Sequence, residues 1–147
     1  MKKIYRFIPI LVLFLFTSIT ANAQCKAFAK KVGIPLLSSY THDGNYHAAV
    51  LVEGEEAEIY KTFYSDMDYR VAISGDENLP KVEFRVLDAN RNLIYSSKDN
   101  NYNKTWDFKL QSSQQLKLIV KVLPSDNAGT TTPTSGCVTI MFGFKTK

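Results

Sequence analysis

The sequence predicts an all-β protein, one antiparallel β-sandwich of about eight strands behind a cleaved signal peptide. Three observations carry this. Short runs alternate apolar and polar residues with a period of two, as in Val82, Phe84 and Val86 against Glu83 and Arg85, the mark of a half-buried strand. Turn-forming residues interrupt these runs at near-regular intervals. No long stretch carries a helical period, and the prolines beyond the signal region fall outside strand interiors.

The chain has 147 residues and a formal charge of +4. Met1, Lys2, Lys3, Ile4, Tyr5 and Arg6 form a basic start, and residues 7–16 are almost wholly apolar. Ala21-Asn22-Ala23 then places small residues where a signal peptidase reads, so cleavage is expected after Ala23. A membrane span needs about 20 apolar residues, and this run is about half that. The mature form is therefore expected to carry no transmembrane segment and to be secreted or periplasmic. Without Lys2, Lys3 and Arg6 the charge falls to about +1. Such a balance gives no electrostatic reason to expect nucleic acid as a partner. Residues 24–147 are a comfortable length for a single domain with its own core.

Two cysteines remain, Cys25 and Cys137. In an oxidising compartment an even count points to a bridge, here closing a loop of roughly 110 residues, which the chain-entropy model values at about 4 to 5 kcal/mol. The alternatives are a free thiol and lipidation of Cys25, which follows the cleavage site directly. Gln24 stands where a lipoprotein cysteine has a small residue.

Residues 25–32 read as two helical turns or a strand edge, broken by Gly33 and Pro35. Residues 38–47 are a loop by composition, with a turn at Asp43-Gly44. Strands are then expected over 48–53 and 57–64, the second with Ile59 and Phe63 on one face and Tyr60 and Tyr64 on the other. Tyr69, Val71 and Ile73 mark the next. Residues 82–97 read as a hairpin turning at Asp88-Ala89-Asn90-Arg91. Trp106, Phe108 and Leu110 mark a strand with a wide aromatic face. Leu116, Leu118, Val120 and Val122 mark the clearest one, and Val138, Ile140, Phe142 and Phe144 the last. Residues 124–136 are rich in Thr, Ser, Gly and Pro and read as a long surface loop.

The runs at 59–63 and 69–71, the hairpin 82–95, the aliphatic strand 116–122 and the aromatic closing strand 138–144 together resemble the bacterial pre-peptidase C-terminal domain. That resemblance implies a jelly-roll-like accessory sandwich without chemistry of its own.

Several side chains qualify as candidate sites. His42, Asp43 and His47 could hold a transition metal if their loop curls, although their spacing matches neither a helical pair nor a zinc finger. Asp88 to Asn92 has the start of a calcium loop, but Leu93 stands where the sharp bend needs glycine. Asp66 and Asp68 with Asp76 and Glu77 could meet at one end of the sandwich. Tyrosine is the unusual abundance, eight in all. Tyr46, Tyr60, Tyr64 and Tyr102 fall in loops or on outward faces, where flat rings serve glycans and protein partners. No phosphate loop and no nucleophile elbow occur. The expected function is an exported binding or accessory domain, not an enzyme and without a cofactor, that recognises a protein or a surface glycan. The alternative is a small secreted metal-dependent hydrolase built on His42, Asp43 and His47.

Overall fold

The computed structural model describes residues 20–127, 129 and 132–146. The signal segment therefore lies almost wholly outside the described residues. Two antiparallel sheets face each other. In the first, β1 (Thr41–His42) and β2 (His47–Val52) both pair along one side of β9 (Ser135–Thr146). On its other side β9 pairs with β4 (Met67–Gly75), and β4 with β7 (Thr105–Lys109). The second sheet runs β3 (Glu56–Phe63), β8 (Gln114–Val122), β5 (Val82–Leu87), β6 (Leu93–Ser96).

The period-two runs predict these strands because each buries one line of side chains. Leu116, Leu118, Val120 and Val122 of β8 are all fully buried, as are Phe63, Phe84, Val86 and Phe142 from the strands around them. Burying each such side chain is worth about 1.5–3 kcal/mol. Trp106 and Phe108 stack at 4.3 Å, and Tyr95 stacks on Trp106 at 4.8 Å, which closes the open end of the layer with aromatic contacts.

Where the sequence leaves helix and strand edge open for 25–32, the structure forms a helical cover. An α-helix, α1 (Thr20–Phe28), runs into a π turn (Ala29–Gly33) and a 3₁₀ turn (Ile34–Leu37). This segment lies across the outer face of the five-stranded sheet. Its buried side chains Ala29 and Leu37 meet Ala72 of β4 and Met141 of β9 in a second, smaller core. Contact is close enough to demand glycine: a Cβ on Gly143 would sit 2.7 Å from Tyr40 Cβ. The Cys25–Cys137 bridge fastens the cover to β9, so the described thiols include no free one and Cys25 is not available for a lipid. Arg70 adds a forked ion pair to Asp107, both contacts 2.6 Å, and donates to the Leu36 carbonyl at 3.4 Å. Beneath the cover the buried hydroxyls of Ser74 and Thr139 satisfy each other at 2.7 Å.

Among the described residues nine strands occur where about eight are expected. The addition is β1, inside the stretch read as loop. β9 is long enough to accept two short partners in succession, so a two-residue pairing at Thr41 and His42 costs little composition. The hairpin turns where expected. Asp88 Oδ1 accepts the N–H of Asn90 and of Asn92 at 2.8 Å, and Oδ2 accepts the Asn92 amide at 2.9 Å. Its carboxylate is committed to the turn, and those bonds from Asn92 hold it below the usual carboxylate range.

Candidate binding surface

The two outer faces of the sandwich are unequal. That of the five-stranded sheet lies under the helical cover, while no described element packs over that of the four-stranded sheet. The strand register lines up its outward side chains in rows. Tyr60 of β3 sits beside Lys117 of β8, then Leu87 of β5, then Leu93 of β6. Tyr60 is 59% exposed, Leu93 54% and Ile94 41%, large values for apolar side chains in strands. Charges of both signs interleave around this row. Lys117 Nζ stands 2.7 Å from Glu58 and 5.6 Å from the centre of the Tyr60 ring. Arg85 reaches Glu56 at 3.6 Å, and its buried Nε has no hydrogen-bond partner among the described residues. An exposed aromatic and aliphatic row with a polar rim is the composition of a protein-contact surface.

The seam between the sheets holds the histidine loop. The inward line of β3 reads Ala57, Ile59, Lys61, Phe63, so a lysine points toward the core from an edge strand. Lys61 Nζ pairs with Asp43 Oδ2 at 2.8 Å and lies 4.9 Å from the centre of the Phe142 ring. Asp43 also accepts the Asn45 N–H at 2.9 Å. Burial pushes the Asp43 carboxyl up, but Lys61 and Asn45 together hold it below its ordinary value. His42 Nε2 lies 3.0 Å from the Asn45 carbonyl. His47 turns edge-on to Phe142 at 5.4 Å, and its burial pushes the imidazole pKa down. Among the described residues no three histidine, cysteine or acidic side chains come together as a metal site. The contact that spans the seam is the Lys61–Asp43 pair, with His42 Nε2 3.7 Å from Asp43 and His47 against Phe142. An inward charge on an edge strand also discourages a further strand from adding there.

The four candidate tyrosines do not meet. Tyr60 lies on the open side of β3, and Tyr64, just past the strand's end, is 56% exposed. Tyr46 is not on an open face: it packs against the second core, with Lys26 and Lys30 5.3 and 5.5 Å from its ring centre. The helical cover, illegible as a packing element in the sequence, is the reason. Tyr102 stands at the loop-bearing end, under Lys81. The sequence reading missed Leu93 and Ile94 as surface and Lys61 as inward. For Lys61 a signal existed, since it occupies an apolar register position.

The class these features define is an all-β antiparallel sandwich with one covered and one bare sheet. No known family's sequence pattern matches the chain, and no curated protein matches it. Among solved structures it is similar to Aeromonas hydrophila PliG, a periplasmic lysozyme inhibitor of g-type lysozyme. The TM-score is 0.51 at 11% identity, over 73% of this chain and 89% of that one. At that identity the likeness is one of fold.

Proposed function

We propose that the chain is an exported, non-catalytic domain that binds a protein partner on the outer face of its four-stranded sheet. The observation that carries this reading is the uncovered row of exposed Tyr60, half-buried Leu87 and exposed Leu93, opposite a sheet whose own outer face is covered. The Cys25–Cys137 bridge supports export, because such bonds persist in oxidising compartments. A pre-peptidase-type accessory role, as the sequence resemblance implies, is of the same non-catalytic kind. The similarity to PliG, an inhibitor of g-type lysozyme, makes a secreted glycoside hydrolase of that kind the first partner to test.

The test is complex formation between the mature domain and a g-type lysozyme, followed by size-exclusion chromatography and residual lytic activity. The wild type is expected to form a complex. Tyr60→Ser with Leu93→Ser is expected to weaken it at least tenfold, as truncating central aromatic contacts does, with an unchanged melting curve. Absence of a wild-type complex would remove the lysozyme-type partner. A complex indifferent to both substitutions would remove this face.

A further inference from the structure

The loop-bearing end of the sandwich holds a feature that the protein-binding reading does not use. The loop entering β5, the turn before β7 and residues 123–127 with Thr134 border two open clefts of about 310 and 620 Å³. Tyr102 and Lys81 line both. Tyr102 is held at φ 54°, directly after Asn101 at φ 54°. Left-handed backbone is uncommon for any side chain with a Cβ and an outlier for a bulky one. Asparagine bears it well and glycine freely. The turn is nevertheless fixed, by the Tyr102 N–H donating to the Ser97 carbonyl at 2.7 Å. A large flat ring is thus placed between the two clefts at a position where the backbone disfavours it. Strain of this kind clusters at functional sites and ligand clamps.

The lining chemistry narrows the ligand. Asp76 and Glu77 share the smaller cleft with Lys81, Lys104 and Asn103. An anion entering there meets two carboxylates, and a cation meets two ammonium groups. An apolar molecule would strip water from all four. A neutral polyol is repelled by neither sign of charge, and its hydroxyls, which both donate and accept, replace the bonds of the water it displaces. The C–H face of a pyranose ring also has an aromatic surface to lie on, because the half-buried Tyr102 lines both clefts, with Lys81 Nζ 4.9 Å from its ring centre.

We propose that this end cleft is a saccharide site, in which a neutral pyranose of an oligosaccharide stacks on Tyr102 and its hydroxyls bond to Asp76, Lys81, Asn103 and Lys104. The site is distinct from the bare sheet face, and the two proposals stand or fall separately.

The test is an amide chemical-shift titration of the mature protein with the β-1,4-linked tetrasaccharide of N-acetylglucosamine and, separately, with cellotetraose. At least one is expected to bind, with shifts confined to residues 76–82 and 100–104. Tyr102→Gly is expected to weaken that binding by about tenfold or more, the size of one stacking contact. It should leave the melting temperature unchanged or raised, because glycine relieves the left-handed backbone. Lys104→Ala, on the exposed lip of the cleft, should weaken binding without touching the fold, while Tyr60→Ser should not change it. Absence of shifts with both sugars would overturn the proposal. So would wild-type affinity in Tyr102→Gly and Lys104→Ala, or a fall in the Tyr102→Gly melting temperature without loss of binding.

Discussion

Removing the Cys25–Cys137 bridge should be the most damaging small change in the molecule outside its main core. The bridge joins residues 112 positions apart. Closing a loop of that length removes about 16 cal/mol/K from the unfolded chain, or about 4.8 kcal/mol at room temperature. Roughly 124 residues, 24–147, unfold with an entropy near 0.26 kcal/mol/K, so that loss corresponds to a fall of about 18 °C in melting temperature. The bridge also fastens the helical cover, whose Ala29 and Leu37 bury against Ala72 and Met141, so freeing it cannot add stability. The assay is thermal unfolding of Cys25→Ser with Cys137→Ser beside the oxidised wild type, read by circular dichroism. A fall of less than about 5 °C would refute the loop-closure reasoning. So would faster amide exchange confined to residues 24–37 with an unchanged sandwich transition, since the bridge would then be only a local tether.

Three further outcomes follow from the seam and the cover. Burial holds His47 below its ordinary value of 6.5, so the unfolded chain takes up the proton first as pH falls. The stability due to neutral His47 is present above pH 6.5 and is lost as pH drops below it. The urea midpoint should therefore decline between about pH 7 and about pH 5, and His47→Gln should flatten that decline; an identical slope in the variant would contradict the assignment. The Arg70 guanidinium holds Asp107, and Lys61 with Asn45 holds Asp43, below the ordinary carboxylate value of 3.8. Their contributions persist above that range and disappear as pH falls through it, in a second and more acidic loss. Gly143→Ala brings a Cβ to 2.7 Å from Tyr40 Cβ and 3.2 Å from Leu37 Cδ2. It should cost about 1–3 kcal/mol by overpacking, measured by chemical denaturation, and an unchanged midpoint would mean that the cover does not press on β9 there.

Much of the sandwich was legible because each strand carries its own inside and outside. Leu116 to Val122 and Val82 to Val86 needed no partner to be read, whereas the even count of cysteines pointed to a bridge and left a free or lipidated Cys25 open until the geometry paired it with Cys137. The helical cover was harder. Its short α, π and 3₁₀ turns never build a long helical period, yet Cys25, Ala29, Gly33 and Leu37, all buried, recur every four residues. Small side chains at two of these positions conceal that line from a search for apolar periodicity. Tyr46 lies in a loop, as its composition implies, but half-buried, since the lysines over its ring come from a segment without a predicted face. The bare row on the other sheet depends on strand order. Tyr60 and Leu93 are distant in sequence and become neighbours in one row only through β8 and β5. Tyr102 carries no sequence sign of its left-handed backbone, because the turn is set by its bond to Ser97.

Hydroxyl-radical footprinting of the isolated oxidised protein tests the unequal faces most directly. Methionine is among the readiest side chains to oxidise, and Met141 is fully buried under the helical cover, whereas Tyr60, Tyr64, Leu93 and Ile94 are open to solvent. Modification should appear at Tyr60, Tyr64, Leu93 and Ile94 while Met141 stays intact, with half-buried Met67 in between. Met141 oxidising as fast as Met67, or protection of Tyr60 and Leu93 in the free protein, would contradict a sandwich with one covered and one open face.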